Sequence, residues 1–345
     1  MPVTVRSFAK INLGLRIGAP RADGFHELLT VYQTIGLHDI VHVSATRGTG
    51  IEIRCADPRV PRDESNTCFR IVEKATRVLG AKGRIVIEID KRLPVQGGMG
   101  GASSNAVAVL LGLERALKKV LPAAEKLRIA AEVGSDLPLF LVGGTVLGVS
   151  RGEQVYPLQD LPAAACVVVT PEVGVSTPQA FAAWDRLCDA GREPAGLRPA
   201  GQPRAAVPTQ SPNTSLAKLT VTGASDRMVG LSRALSAWLS EPYSGAPFGR
   251  GRAENPLLAL VRAGIKNDFE EVVFPEYPEL GEGKRALERA GAKYASLSGS
   301  GSTLYGLFAS RQAAVRAAGK LRKQGWTAQA TVTLTRRQYW KRIFG

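Results

Sequence analysis

The sequence predicts an α+β protein of two domains, and three observations carry that prediction. The chain has 345 residues, about two domains' worth by the usual relation of length to domain size. Its first part, up to residue 90, reads mostly as strands, and a glycine-rich turn then feeds a helix. Its last part reads helix, strand, strand, helix, strand, the order of a layer of helices on a sheet.

Residues 3–5 and 7–17 read as the first strands. Ile11, Leu13 and Leu15 share one face, and Lys10, Asn12 and Gly14 share the other. A solvated sheet face is the ordinary explanation for the lysine, but asparagine is depleted in strands, which marks the pair. Arg21-Ala22-Asp23-Gly24-Phe25-His26 contains an Asp-Gly turn signal, so Phe25 and His26 lie at the start of the next strand, 28–35. Residues 39–43 and 50–54 read as strands and 57–66 as a loop rich in proline and charge. Residues 67–79 have helical spacing, with Ile71, Val72, Ala75 and Leu79 on the apolar side, and 83–90 alternate as a strand.

Residues 93–106 read L-P-V-Q-G-G-M-G-G-A-S-S-N-A. A glycine turn feeding a helix start leaves N–H groups unpaired and aimed outward. That arrangement suits an anion, most often a phosphate; a tight strand-to-helix turn is the plainer alternative. Ser103, Ser104 and Asn105 are helix-start residues and set a helix at about 104–119, followed by another at 123–133. Asp136, in Gly134-Ser135-Asp136-Leu137-Pro138, is either an N-cap before a proline or an acid held at an internal pocket. Residues 143–149 and 166–170 read as strands, and Val175-Ser176-Thr177-Pro178 opens a helix containing Phe181 and Trp184. From about 189 to 253 Gly, Pro, Ser and Arg dominate, which predicts a long, partly disordered surface insertion interrupted by helical spacing at 226–239. Helices at 257–262 and 276–290, a Gly-Ser segment at 298–303, a strand at 304–308, a helix at 312–324 and a strand at 327–335 complete the chain. The Gly-Ser segment is either a turn or the wall of a cleft facing the first glycine loop.

Composition bounds the function. The net charge is +15, but no basic helix or aromatic-interleaved strand stands out, so nucleic-acid binding is not expected as a main function. No apolar run approaches the length of a membrane span, and the N-terminus lacks the apolar core of a signal peptide. A cytoplasmic protein with no membrane partner is therefore expected. Cys55, Cys68, Cys166 and Cys188 are widely spaced, and His26, His38 and His42 form no H-E-x-x-H pattern. Neither a disulfide framework, nor a zinc knuckle, nor a catalytic metal held by histidine is expected.

Separated segments match one pattern: Ala9-Lys10-Ile11-Asn12-Leu13, Arg21-Ala22-Asp23-Gly24-Phe25-His26, 93–106, 134–138 and 298–303. In these segments, and in their order, the chain resembles the GHMP kinases, a family of small-molecule kinases. The glycine loop is shared across the superfamily. The R-A-D-G-F-H segment is much narrower and points to a member acting on a small molecule linked to cytidine diphosphate.

The resemblance implies a ribosomal-protein-S5-domain-2-like, ATP-binding domain at 1–160 and a ferredoxin-like domain at 161–345 that carries the insertion, with catalysis in the cleft between them. It implies ATP and Mg2+ as cofactors and leaves the oligomeric state open. Pro94, Val95, Gln96, Gly97, Gly98, Met99, Gly100, Gly101, Ala102, Ser103 and Ser104 then wrap the ATP phosphates, and Asn66 lies near the adenine. Asp136 is the catalytic acid and acts as general base, with Lys10 beside it; Ser103 or Ser104 touches the metal. Asn12, His26 and Thr177 lie at the substrate, and Phe25 and Phe181 sandwich its cytosine ring. Gln96 and Ala102 stand where glycine is common, Met99 where leucine is usual, and Phe25 where tyrosine is common. None of these departures removes a charge from the implied chemistry.

Overall fold

The computed structural model describes residues 1–190 and 266–344. The helices expected at 226–239 and 257–262, and all of the insertion expected at 189–253 beyond residue 190, lie outside the described residues.

A long hairpin organises the first layer. β1 (Val3–Pro20) and β2 (His26–Thr46) pair antiparallel along most of their length. The sequence predicts two shorter strands in place of each. The chain instead absorbs its misfits as irregularities between Phe8 and Lys10, Asn12 and Gly14, and Ile17 and Pro20, because a bulge accommodates an extra residue without ending the ladder. The added length lets β2 serve two neighbours, β4 (Arg84–Asp90) through residues 40–46 and β5 (Thr145–Val149) through residues 30–33. β3 (Gly50–Cys55) and β6 (Gln154–Pro157) complete the order β3-β4-β2-β5-β6, with β1 on β2.

β3 and β4 are parallel and therefore need a crossover, which contains α1 (Thr67–Leu79). That helix buries Cys68, Ile71, Val72 and Ala75 and ends at Gly80, whose φ of 54° is left-handed. α2 (Gly101–Leu117) is buried continuously from Ser104 to Glu114, which is why its sequence is apolar all round rather than striped. It starts at Gly101, earlier than the serines predict, because the Ser104 hydroxyl donates to the Phe8 carbonyl instead of capping the helix. α3 (Ala123–Val133) and α4 (Leu137–Val142) follow.

β7 (Ala165–Val169), β8 (Tyr294–Leu297), β9 (Leu304–Phe308) and β10 (Ala328–Val332) form a second, antiparallel sheet in the order β10-β7-β9-β8. α5 (Thr177–Ala190), α6 (Glu270–Glu276) and α7 (Pro278–Arg289) precede β8, and α8 (Arg311–Lys323) joins β9 to β10. This is the arrangement of a ferredoxin-like layer. The helix expected at 276–290 begins earlier, as α6, and breaks at Tyr277, because Pro278 has no N–H to continue it and suits a helix start.

α9 (Arg336–Ile343) was not anticipated; Thr335 and Gln338 form its capping box. It shortens the strand expected at 327–335 and returns to the first layer. Tyr339 and Ile343 share an apolar core with Phe8 and Phe140, although their place in the sequence puts them in the expected second domain. The Tyr339 hydroxyl donates to the Phe140 carbonyl at 2.7 Å, and a Cβ on Gly143 would lie 2.3 Å from the Tyr339 ring.

A further apolar cluster joins the layers. Ile11, Leu13, Val31 and Met99 pack with Cys166, Val168, Tyr305 and Leu307. With Ile11 and Leu13 committed to this seam, strand alternation puts Lys10 and Asn12 on the opposite side. Among the described residues no helix is long and apolar enough to cross a membrane.

Candidate active site

The glycine run borders a cavity of about 320 Å³. Its walls include Pro94, Val95, Gln96, Gly97, Gly98, Met99, Gly100, Gly101, Ala102 and Ser103, together with Asn66 and Lys91. Gly100 occupies the N-cap position of α2 at φ 67° and makes no side-chain capping bond. The first-turn N–H groups therefore remain for a ligand. Gln96 also has a left-handed φ, 60°, a conformation that glycine takes without strain. Asn66 borders the cavity as the cap of α1: its Oδ1 accepts from the Cys68 N–H and its Nδ2 donates to the Pro61 carbonyl.

Ser104 departs from its expected place at the phosphates. It is buried, donates to the Phe8 carbonyl and accepts from the Ser7 hydroxyl. Of the two loop serines, Ser103 is the one on the cavity wall.

Lys10 and Asp136 meet at the foot of the loop. Lys10 Nζ donates to the Gly98 carbonyl and to Asn12 Oδ1, each at 2.8 Å, and lies 3.4 Å from Asp136 Oδ2. Asp136 precedes α4 but makes no side-chain capping bond. Its Oδ1 instead accepts from the Tyr32 hydroxyl at 3.0 Å, and its side chain remains about one-third exposed, at 32%. Burial, and after it the charge of Asp136, pushes the Tyr32 phenol well above its ordinary range, so Tyr32 stays a donor. Asn12, expected at the substrate, is braced within the protein through one hydrogen bond at each end of its amide. It is buried, its Oδ1 accepts from Lys10, and its Nδ2 donates to Thr30 Oγ1 at 2.8 Å. Its side chain is a strut for the lysine.

The second layer closes on the same loop. Ser298 Oγ donates to the Gly98 carbonyl at 3.0 Å, and the Thr303 N–H donates to the Gly97 carbonyl at 3.2 Å. A Cβ on Gly98 would lie 2.2 Å from the Ser298 carbonyl oxygen, so only glycine permits this approach. Asn267 Nδ2 braces the segment by donating to the Leu297 and Gly299 carbonyls. Of the two readings of 298–303, a turn or a cleft wall, the structure brings the segment against the first glycine loop.

At the other end lie Phe25, His26, Thr177 and Phe181. His26 Nε2 lies 2.7 Å from Asp185 Oδ1, and the Phe181 ring stacks on the imidazole with centroids 4.8 Å apart. Phe25 is exposed, with the Arg151 guanidinium 5.1 Å from its ring centre. One face of Phe181, expected with Phe25 to sandwich the cytosine ring, is covered by His26. Thr177 Oγ1 lies 2.7 Å from Ser300 Oγ and ties the start of α5 to the Gly-Ser segment.

Sequence reasoning missed Tyr32, Asn267 and the cavity-lining role of Lys91. Tyr32 has no local signature; it reaches the site because it pairs with Asn12 across the hairpin. Lys91 did carry a signal, as half of the basic pair directly before the glycine stretch. Among the described residues no three His, Cys, Asp or Glu side chains gather to hold a metal.

The pattern of the GHMP kinases N-terminal domain matches residues 66–144, and that of the GHMP kinases C-terminal domain matches 253–325. A 4-diphosphocytidyl-2-C-methyl-D-erythritol kinase of Solibacter usitatus is 36% identical over 323 residues, covering 91% of this chain and 83% of the relative. The enzyme of that name from Geobacter sulfurreducens is 32% identical, covering 96% of this chain and 99% of the relative. A crystal structure of 4-(cytidine 5'-diphospho)-2C-methyl-D-erythritol kinase superposes with a TM-score of 0.66 at 26% identity, over 96% of this chain and 98% of the other.

Proposed function

The chain belongs to the GHMP kinases and, within them, to the 4-diphosphocytidyl-2-C-methyl-D-erythritol kinase family, and from that membership we propose that it transfers the γ-phosphoryl group of ATP to the 2-hydroxyl of 4-diphosphocytidyl-2-C-methyl-D-erythritol. The reaction belongs to the non-mevalonate route to isoprenoid precursors. The observation that carries the chemistry is the position of one ammonium. Lys10 donates to the Gly98 carbonyl of the loop while lying 3.4 Å from the Asp136 carboxylate, so one cation ties the base to the phosphate loop.

Phosphoryl transfer asks a protein mainly for alignment and charge stabilisation. In this reading Asp136 takes the proton from the attacking hydroxyl. Tyr32 and Lys10 hold its two oxygens, and the Lys10 charge stabilises the phosphoryl group in transit. The N–H groups at the start of α2 receive the phosphates as fixed dipoles. They serve where a G-x-x-x-x-G-K-[ST] loop would use its lysine, a motif this sequence lacks. The cavity of about 320 Å³, with uncapped helix donors on its wall and Asn66 bordering it, fits ATP. Mg2+ would be held mainly by the phosphates themselves, with Ser103 the loop hydroxyl on the cavity wall. When bound it neutralises their developing charge. His26, Phe25, Phe181 and Thr177 hold the cytidine end.

The test is a kinase assay of the purified protein with ATP and three acceptors: the diphosphocytidyl compound, mevalonate and homoserine. The expected kcat/KM is at least roughly a hundredfold higher for the first, the scale on which contacts to polar groups discriminate. Equal or faster turnover of mevalonate or homoserine overturns the acceptor assignment.

A further inference from the structure

Asp39 is fully buried on β2, and its carboxylate accepts three donors at 2.7 Å each: Lys91 Nζ, the Arg92 N–H and the Leu93 N–H. The Lys91 side chain is only 7% exposed, yet the residue borders the cavity. A Cβ on Gly101, the first residue of α2, would lie 3.3 Å from Lys91 Nζ. A buried ammonium therefore sits beside the positive end of a long helix. A cation there is disfavoured by the helix dipole, and a buried charge demands a partner. Asp39 supplies that partner. What the arrangement gains is a second fixed positive element beside the uncapped N–H groups, at the place where an anion enters.

We infer that Asp39 is a positioning residue for the nucleotide. Its ion pair holds Lys91 against the start of α2, where the ammonium's charge acts on the bound nucleotide. Its two backbone bonds fix the junction at 92–93 from which the glycine loop departs. The inference rests on the reading of the cavity as the ATP site.

Asp39→Asn separates the two actions. It keeps an oxygen for the backbone donors and removes the charge that holds Lys91. ADP binding is measured by titration calorimetry, alongside kcat, both KM values and Tm. ADP binding is expected to weaken about tenfold and the KM for ATP to rise by a similar factor, with kcat and the acceptor KM within about twofold. Lys91→Met weakens ADP binding to the same degree, and the double variant weakens it no further, because Asp39 acts through Lys91. Unchanged ADP binding by folded Asp39→Asn overturns the inference. So does a double variant in which the two losses multiply, or a joint loss of kcat and both KM values that tracks Tm. Should Asp39→Asn fail to fold, the double variant, which leaves no unpaired buried charge, carries the test, and wild-type ADP affinity in it overturns the inference. A wild-type protein that binds no ADP overturns the reading of the cavity, a separate failure.

Discussion

At the glycine loop Lys10, Asn12, Tyr32 and Ser298 each hold a fixed partner, whereas at the aromatic end Phe25 is exposed and Phe181 rests on His26. The first group draws on buried strand positions and on a carbonyl, that of Gly98, to which both layers donate. The second draws on a turn and on a helix of the other layer. The contrast separates two needs. Charges that stabilise a transition state help most when no reorganisation remains to be done at the moment of reaction. A face that only holds a base tolerates adjustment on binding. Damage at the loop should therefore appear in kcat, and damage at the aromatic end in KM.

The largest expected effect breaks the loop end. Asp136→Asn keeps the shape and the acceptor for Tyr32 but removes the proposed base, and kcat should fall by about a thousandfold. ATP binding should persist, because the cavity walls are untouched. Steady-state kinetics with calorimetric ATP binding checks both halves. Near-normal turnover by the folded variant would remove Asp136 from the role of base and dissolve the contrast between the two ends.

The loop end was the more legible one in the sequence, and the reason is locality. The glycine run, the Lys-x-Asn pair and Asp136 each stand inside a short segment whose pattern is visible without the fold. Their partners are not local. Tyr32 meets Asp136 only because β1 and β2 keep register through two irregularities as far as the Asn12–Tyr32 pair. Asp39 meets Lys91 only where β2 runs beside β4. Asn12 is marked by its strand position, but a sequence cannot show that its oxygen accepts from the neighbouring lysine. The capping box at Thr335 and Gln338 was readable as a helix start, but nothing local says that Tyr339 packs against the first core. The layer of helices on a sheet follows from the order of elements, whereas the ferredoxin-like arrangement of the second sheet is implied by the resemblance to the GHMP kinases. The splitting of α6 from α7 follows from Pro278, a signal present in the sequence and passed over.

At the aromatic end, Phe181→Ala should raise the acceptor KM roughly tenfold or more while kcat changes less, since stacking on a base contributes about 1–3 kcal/mol and is largely uniform binding. The variant also frees the face of His26 that Phe181 covers. Kinetics at saturating ATP separates the two parameters. An unchanged KM would leave Phe181 as a packing residue between His26 and Phe269 and would move cytosine recognition elsewhere.

The smallest effect sharpens the loop end. Tyr32→Phe deletes the hydroxyl that donates to Asp136 Oδ1. Asp136 is exposed enough for water to replace that donor, so kcat should fall only about threefold, the scale of one modest hydrogen bond, with both KM values unchanged. A second signature concerns pH. Burial, and then the charge of Asp136, raises the Tyr32 phenol well above 10.0 in the folded protein. The unfolded chain therefore loses this proton first as pH climbs. The contribution of Tyr32 to stability is full below about pH 10 and declines above it. Between about pH 9 and about pH 11 the Phe variant should lose less stability in urea than the wild-type protein. Equal losses would mean that the folded protein also gives up the proton, in which case Tyr32 is no donor to Asp136 at high pH and the fixed geometry of the base rests on Lys10 alone.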